Sequence, residues 1–143
     1  MKDEYETSQA YTVVLKNDVR EVALLDDFVR EICSAVHMDE VTVTNVGLAV
    51  EEAVVNVMRY AYTEGSTGEI HVSATAGNGK LTFEIRDDGK PFDPTAAEEP
   101  DITLSAKQRP IGGLGIFLMR RYMDAMSYKR EYDSNVLTLT KYF

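Results

Sequence analysis

The stretch VEEAVVNVMRYAY, residues 50–62, places carboxylates and an amide within what otherwise reads as a buried apolar helix. Glu52 and Asn56 are four residues apart, so a helix projects them from one face about one turn apart. An amide oxygen is a ligand that Mg²⁺ accepts alongside waters and substrate phosphates, and a nearby carboxylate can take a proton from an attacking hydroxyl or water. The pair therefore suits phosphoryl transfer. The same polar strip also fits the solvated face of an amphipathic helix, and helix geometry alone does not choose between the two.

A second candidate is an acid at the end of a predicted strand. In LTFEIRDDG, residues 81–89, apolar side chains alternate, and the period of two places Asp87 next on the same inward face. A buried carboxylate is costly unless donors reach it, and the exocyclic amino group of adenine is such a donor. Gly89 would let a flat ligand approach the backbone. The alternative is that Asp87 only caps a turn.

The third candidate is the segment RPIGGLGIFLM, in which glycines stand where a helix is predicted to begin. The amides of a first helical turn lack partners and the helix dipole is positive there, so the backbone of Gly113, Leu114 and Gly115, preceded by Gly112, can receive phosphate oxygens. Structural use of the glycines is the alternative. The chain has no P-loop, and this segment lacks the third glycine and the preceding strand of a dinucleotide fingerprint.

These segments need elements that bring them together. Periodicity and turn residues first predict a strand at 10–16, a helix that Asn17 caps and that ends near His37, and a second helix from about Glu40 to Ala61. Two strands follow at 69–76 and 80–88, joined by a tight turn at Asn78-Gly79. The rest of the chain is predicted to form a lid over about 90–112, a helix over 112–124 and a closing hairpin that turns at Asp133 to Asn135. The order predicts one domain over residues 1–143, a two-layer α/β sandwich with helices on one face of a mixed, mostly antiparallel sheet.

Composition narrows the functional classes. The formal charge of −9 argues against nonspecific binding to nucleic acid or to an anionic membrane, since both require clustered Lys and Arg. We expect a cytoplasmic protein, because no run approaches the roughly 18 apolar residues of a membrane span and the N-terminus lacks the apolar core of a signal peptide. The single Cys33 cannot form an internal disulfide, and we expect it to be a small buried hydrophobe.

Taken together and in this order, the Glu52-x-x-x-Asn56 helix, DDGKPFDP and GGLGIFLMRRYMD closely resemble the N, G1 and G2 boxes of the GHKL ATPase superfamily. The resemblance implies a Bergerat-type sandwich that binds Mg-ATP. Within the superfamily, the short length and the PFDP signature are similar to the bacterial anti-sigma factor serine/threonine kinases, and the similarity runs from about Val13 to the C-terminus.

The resemblance implies a role for each matching residue: Glu52 as catalytic base, Asn56 as Mg²⁺ ligand, Asp87 as the acceptor of the adenine amino group with Gly89 beside it, and Gly113, Leu114 and Gly115 at the phosphates. It implies none for Tyr60, where the family often carries His. Arg109 in the lid is either a contact to the terminal phosphate or a solvated loop residue, and Lys107 is a weaker candidate.

Family members of this type phosphorylate a serine on a STAS-type anti-anti-sigma protein and hold a sigma factor by binding it, so the resemblance implies these partners. One alternative is a non-catalytic ATP-binding module that sequesters a sigma factor or another regulator, and another is an ATPase part or a switch-type relative. We do not expect a histidine kinase, because His37 and His71 lie outside any phosphoacceptor context. Exposed apolar residues on the first helix or at the sheet edge would support a homodimer.

Overall fold

Five strands and three helices form the regular structure in the computed structural model, which describes residues 9–63, 65–96 and 113–143. The strands are β1 (Gln9–Lys16), β2 (Glu69–Gly77), β3 (Lys80–Asp87), β4 (Ala125–Glu131) and β5 (Ser134–Tyr142), and the helices are α1 (Val22–Ala35), α2 (Glu40–Asn56) and α3 (Gly113–Tyr122). Shorter helical turns span Val19–Glu21, Val57–Ala61 and Pro94–Ala96. The predicted lid beyond residue 96, including Lys107, Arg109 and Gly112, lies outside the described residues.

The strands pair in the order β1-β2-β3-β5-β4. The predicted α/β sandwich is confirmed, but every pairing between the described strands is antiparallel, so the mixed component expected from the sequence is not found among them. Two of these pairings are hairpins, whose short turns force antiparallel strands. The register sets Asp87 opposite Asn135 on β5, which brings two polar residues together inside the sheet.

The helices cover one face of the sheet, and α2 is the central helix of the core. Alternate side chains of β2 and β3 are buried under the helices: Ile70, Val72, Ala74, Ala76, Leu81, Phe83 and Ile85. Cys33 on α1 is fully buried in the same core, and burial raises the pKa of its thiol to about 11. The prediction that Cys33 packs as a small hydrophobe is confirmed.

The segment Glu40–Ala61, α2 with its short extension, is by length and composition the one described helix that could cross a membrane, with 22 residues and a mean hydropathy of 1.3. Core helices of globular proteins share these properties. Here α2 contacts α1, α3 and β3, and the Asp39 carboxylate caps its start by accepting a hydrogen bond of 2.8 Å from the Thr42 amide. Its place in the core accounts for its apolar character.

The start of α1 differs from the prediction. Asn17 is not the cap, because the Val19–Glu21 turn comes first and is capped by Asp18, whose Oδ1 accepts from the Arg20 amide at 2.9 Å. The Asn17 side chain instead donates to the Ser66 carbonyl at 3.2 Å. The predicted end of α1 near His37 is confirmed, since His37 has a φ of 60° in a terminating turn.

Of the two predicted hairpin turns, one is confirmed and the other is misplaced. Asn78 and Gly79 have φ of 56° and 76°, which confirms the predicted tight turn between β2 and β3. The turn between β4 and β5 lies at residues 132–133, with φ of 56° at Tyr132, one residue earlier than predicted. The prediction of a turn reaching Asn135 is therefore wrong, and Asn135 belongs to β5.

Candidate functional site

The polar pair of α2 lies at the C-terminal end of that helix. Asn56 is the last α-helical residue and is 3% exposed, whereas Glu52 is half-buried. Asn56 Nδ2 donates a hydrogen bond of 2.9 Å to the Glu52 backbone carbonyl. This bond occupies the amide nitrogen and turns the amide oxygen, the atom suited to a cation, away from that carbonyl. Because the Asn56 amide is buried, the polar side of α2 that carries Glu52 and Asn56 is not simply a solvated helix face.

Gly115 of α3 packs against the same pair. A side chain at this position would place its Cβ 2.7 Å from Glu52 Oε2 and 3.1 Å from Asn56 Nδ2, closer than packed atoms allow. The absence of a side chain therefore lets α3 approach the carboxylate and the amide. The sequence left open whether this glycine is structural or binds phosphate, and the contact gives it a packing role beside the proposed one.

The first turn of α3 contains Gly113, Leu114 and Gly115, as predicted. The first amides of a helix have no partner within it and carry the positive end of the helix dipole. Since Gly115 adjoins Glu52 and Asn56, this turn presents donors and positive partial charge beside the polar pair. Such an arrangement can hold phosphate oxygens next to a metal ligand and a base.

Asp87 ends β3 with its side chain 2% exposed, which confirms the predicted inward orientation. Its Oδ1 accepts hydrogen bonds from the Gly89 amide at 2.8 Å and from Asn135 Nδ2 at 2.9 Å. Its Oδ2 is buried and has no hydrogen-bond partner among the described residues. Burial raises the pKa of this carboxyl, and the two donors on Oδ1 act in the opposite direction. An unpaired buried acceptor of this kind is matched by an N–H donor such as an amino group on a flat base.

Gly89 is required by packing as well. A Cβ at this position would lie 2.4 Å from the Ala61 carbonyl oxygen, and the Lys90 amide donates to that same oxygen at 2.8 Å. The chain leaving β3 is thus bonded directly to the end of the α2 extension. The sequence suggested room for a ligand at Gly89, whereas the structure adds a close backbone contact as a reason for glycine.

The extension Val57–Ala61 is a π-helical turn, a feature that often occurs at functional sites. It is followed by Tyr62, whose hydroxyl donates to the Glu69 carbonyl at 2.7 Å and accepts from the Asp88 amide at 3.1 Å. Within the turn, Tyr60 stacks on Phe92 with ring centroids 5.3 Å apart. These contacts fix the end of β3 against the helix and give Tyr60 a packing role.

Asn135 is the residue that sequence reasoning missed. It is 3% exposed and makes four hydrogen bonds: its Nδ2 donates to Asp87 Oδ1 and to the Lys90 carbonyl, and its Oδ1 accepts from the Phe92 amide and the Tyr128 hydroxyl. The sequence did indicate its burial, because Asn135 lies on the same strand face as the buried residues Leu137 and Leu139, two and four positions later. The misplaced hairpin turn concealed it.

The two clusters share one helix. Asn56 lies in contact with Gly115, and Ala61 lies in contact with Gly89, so the polar pair and the inward acid lie near the last turns of α2 and its extension, roughly 7 Å apart along the axis. The three segments predicted to converge therefore do so around this end of α2.

Comparison with known proteins places the chain in a family. Residues 15–141 match the family model HATPase_c_2, the histidine kinase-like ATPase domain. The serine/threonine-protein kinase BtrW of Bordetella bronchiseptica is 36% identical over 95 residues, which cover 66% of this chain and 67% of BtrW. The serine-protein kinase RsbW of Listeria monocytogenes is 34% identical over 100 residues, which cover 66% of this chain and 62% of RsbW.

A solved structure supports the fold. The crystal structure of the RsbU and RsbW domains of Rv1364c from Mycobacterium tuberculosis superposes with a TM-score of 0.66 at 15% identity, covering 94% of this chain and 32% of that one. The predicted resemblance to GHKL ATPases and to anti-sigma factor kinases is confirmed. The chain belongs to the histidine kinase-like ATPase domain family and is a homologue of the bacterial serine-protein kinases RsbW and BtrW.

Proposed function

We propose that this chain is an ATP-dependent protein serine kinase and anti-sigma regulatory factor, which phosphorylates a STAS-type anti-anti-sigma protein. The observation that carries the proposal is the contact of Gly115 with both Glu52 and Asn56, because it unites a base, a metal ligand and a helix N-terminus. The names of the relatives RsbW and BtrW support kinase activity.

Binding of ATP follows from the donors and acceptors on the two sides of the site. The free Oδ2 of Asp87 accepts from the adenine amino group, with Gly89 beside it. The amides of the first α3 turn, Gly113 to Gly115, receive phosphate oxygens. Asn56 provides an oxygen ligand to Mg²⁺, which when bound offsets phosphate charge.

Glu52 is the proposed base. Its carboxylate accepts the proton of the substrate serine hydroxyl while that oxygen bonds to the terminal phosphorus and the bond to the ADP oxygen breaks. The half-buried carboxylate lies beside the N-terminal end of α3, close to where the phosphate would be held. The chain supplies alignment and a proton acceptor, which are the main contributions needed for phosphoryl transfer.

We also propose a sigma factor as second partner, a homodimer as the assembly and the cytoplasm as the location. Exposed apolar side chains on α1 and β1, among them Leu24 and Val14, support an apolar contact between copies. The formal charge of −9 is consistent with partners other than nucleic acid.

A transfer assay tests the kinase. Labelled ATP and Mg²⁺ are incubated with the cognate STAS protein and wild type, Glu52→Gln or Glu51→Gln. We expect transfer by wild type and a loss of about 10²–10⁴-fold in Glu52→Gln. Glu51→Gln is the matched control, because Glu51 lies beside Asp26 of α1 and projects away from Glu52; its transfer rate should stay near that of wild type. No transfer by wild type, or full transfer by Glu52→Gln, would overturn the proposal.

A second candidate is a non-catalytic module that sequesters its partner and uses ATP as a structural ligand. The observation that favours it is that Asp87 is held through its Oδ1 by the Gly89 amide and the Asn135 side chain, so the base end of the site is built without any contribution from Glu52. It predicts partner binding that survives Glu52→Gln and weakens in Asp87→Asn. Gel filtration of the complex with and without ATP separates it from the kinase.

A further inference from the structure

We propose that Asn135 is a positioning residue that sets base specificity. By occupying Oδ1 of Asp87, its amide leaves Oδ2 as the free acceptor and so selects a purine with an exocyclic amino group over one with a carbonyl. The inference rests on the proposed function, because it concerns the same nucleotide site.

The orientation of the Asn135 amide is fixed by its partners. Its Nδ2 faces two acceptors, Asp87 Oδ1 and the Lys90 carbonyl, each at 2.9 Å. Its Oδ1 faces two donors, the Phe92 amide and the Tyr128 hydroxyl. Exchanging nitrogen and oxygen would set like against like at Asp87, Lys90 and Phe92, and only the Tyr128 hydroxyl could adapt by accepting. Asn135 therefore presents a donor to Asp87.

The two oxygens of Asp87 are consequently unequal. Oδ1 takes both available donors, from Gly89 and Asn135, while Oδ2 is buried and unpaired. Hydrogen bonds to an ionised carboxylate favour the ionised form, which has acceptors only. A protonated carboxyl would instead present a donor, and its preference would move from an amino group to a carbonyl oxygen.

The pKa of Asp87 depends on opposing influences, and the hydrogen bond from Asn135 is one of them. Burial raises the pKa of Asp87, while the hydrogen bonds from Asn135 and Gly89 and the charge of Arg130 on β4 lower it. The neighbouring Asp88 raises it, and Tyr62 is the titratable side chain facing it from the end of the α2 extension. Without the Asn135 amide, Asp87 should protonate at higher pH.

The experiment measures ATP and ITP binding by calorimetry between pH 5 and 8, since ITP carries a carbonyl in place of the amino group. The proteins are wild type, Asn135→Leu, Asn135→Ala and Asn17→Leu. Wild type should prefer ATP and lose that preference as the pH falls through the pKa of Asp87. In Asn135→Leu we expect ATP to bind about tenfold to hundredfold more weakly, ITP to lose less, and the pH midpoint of ATP binding to rise.

Asn17→Leu is the matched control, because it removes one half-buried asparagine whose bond, to the Ser66 carbonyl, does not involve Asp87. It should keep the ATP to ITP ratio and the pH midpoint of wild type. If Asn135→Leu shows no cooperative melting, Asn135→Ala, which also removes the amide donor and adds no bulk, replaces it and should lower the ratio of ATP to ITP affinity in the same way. Wild type that binds neither nucleotide overturns the proposed function together with this inference. Wild type that prefers ATP, with an unchanged ratio and midpoint in the folded Asn135 variant, overturns the inference alone.

Discussion

The base end and the phosphate end of the site are built in different ways. At the base end, Asp87 and Asn135 lie opposite each other on paired strands, are buried, and hold each other by a hydrogen bond. At the phosphate end, Glu52 is half-buried and meets α3 only because Gly115 has no side chain. In the proposed site, base recognition would thus be fixed by sheet register, whereas phosphoryl transfer would depend on the contact between two helices.

This difference predicts that the two ends can be damaged separately. A strand register cannot shift by a fraction of a residue, so changes at the base end should appear in stability and base selection. The carboxylate of Glu52 ends a flexible side chain, so a change opposite it should move the carboxylate and spare the fold. The following substitutions test this separation.

The largest effect is expected for Gly115→Ala at the phosphate end. The added Cβ would meet Glu52 Oε2 at 2.7 Å and displace the carboxylate. Misplacing a catalytic group by about 1 Å costs roughly a hundredfold in rate. Phosphate transfer should fall by about that factor, while a urea titration should show little loss of stability, because Ala favours a helix over Gly by about 1 kcal/mol.

Gly47→Ala supplies the control on α2. A Cβ at Gly47 meets no atom within 4 Å, so only the helix propensity changes. Unfolding should require about 1 kcal/mol more free energy, and transfer should match wild type. Equal transfer rates in the two variants would mean that Gly115 does not position Glu52.

At the base end, Gly89→Ala should act on stability. Its Cβ would lie 2.4 Å from the Ala61 carbonyl oxygen, which belongs to the backbone and cannot turn away as the end of a flexible side chain can. Overpacking of this kind costs about 1–3 kcal/mol. Thermal melting should show the loss without nucleotide, and an unchanged melting temperature would contradict the close contact.

The base end also shows which features of the site can be predicted from the sequence and which cannot. Alternation identified Asp87 as inward, and Asn78-Gly79 marked its hairpin, because both signals are local. Asn135 escaped because Tyr132, rather than an Asn or Asp, takes the left-handed position in the second hairpin. The packing reasons for Gly89 and Gly115 depend on Ala61 and Glu52, distant in the chain, and only the tertiary fold shows them.

Asp87→Asn should separate stability from binding. The unpaired Oδ2 is a buried acceptor and burial raises the pKa of its carboxyl, because a buried carboxylate costs more than a neutral amide in the same place. We expect the free energy of unfolding without nucleotide to rise by about 1 kcal/mol, while ATP binding weakens. Chemical denaturation with and without ATP measures both quantities.

The stability that Asp87→Asn is expected to gain should depend on pH. Burial raises the pKa of Asp87 in the folded protein above the ordinary aspartate value of 3.8. At pH below 3.8, Asp87 is protonated in both the folded and the unfolded protein. As the pH rises towards the folded pKa, Asp87 ionises first in the unfolded chain, and wild type loses stability. Asp87→Asn lacks this loss, so its advantage should appear above about pH 4 and grow through that interval. An advantage independent of pH would contradict the raised pKa of Asp87 in the folded protein.

The smallest effect is expected for Tyr128→Phe, which tests whether stability and base selection are separable within the base end itself. The hydroxyl of Tyr128 donates to Asn135 Oδ1, which keeps a second donor from the Phe92 amide. Its removal should cost about 0.5–1.5 kcal/mol in urea denaturation. The ATP to ITP ratio should change much less than in Asn135→Leu, because the Asn135 donor to Asp87 remains. An equal loss of discrimination in both variants would mean that rigidity of the whole network, rather than the single donor on Oδ1, selects the base.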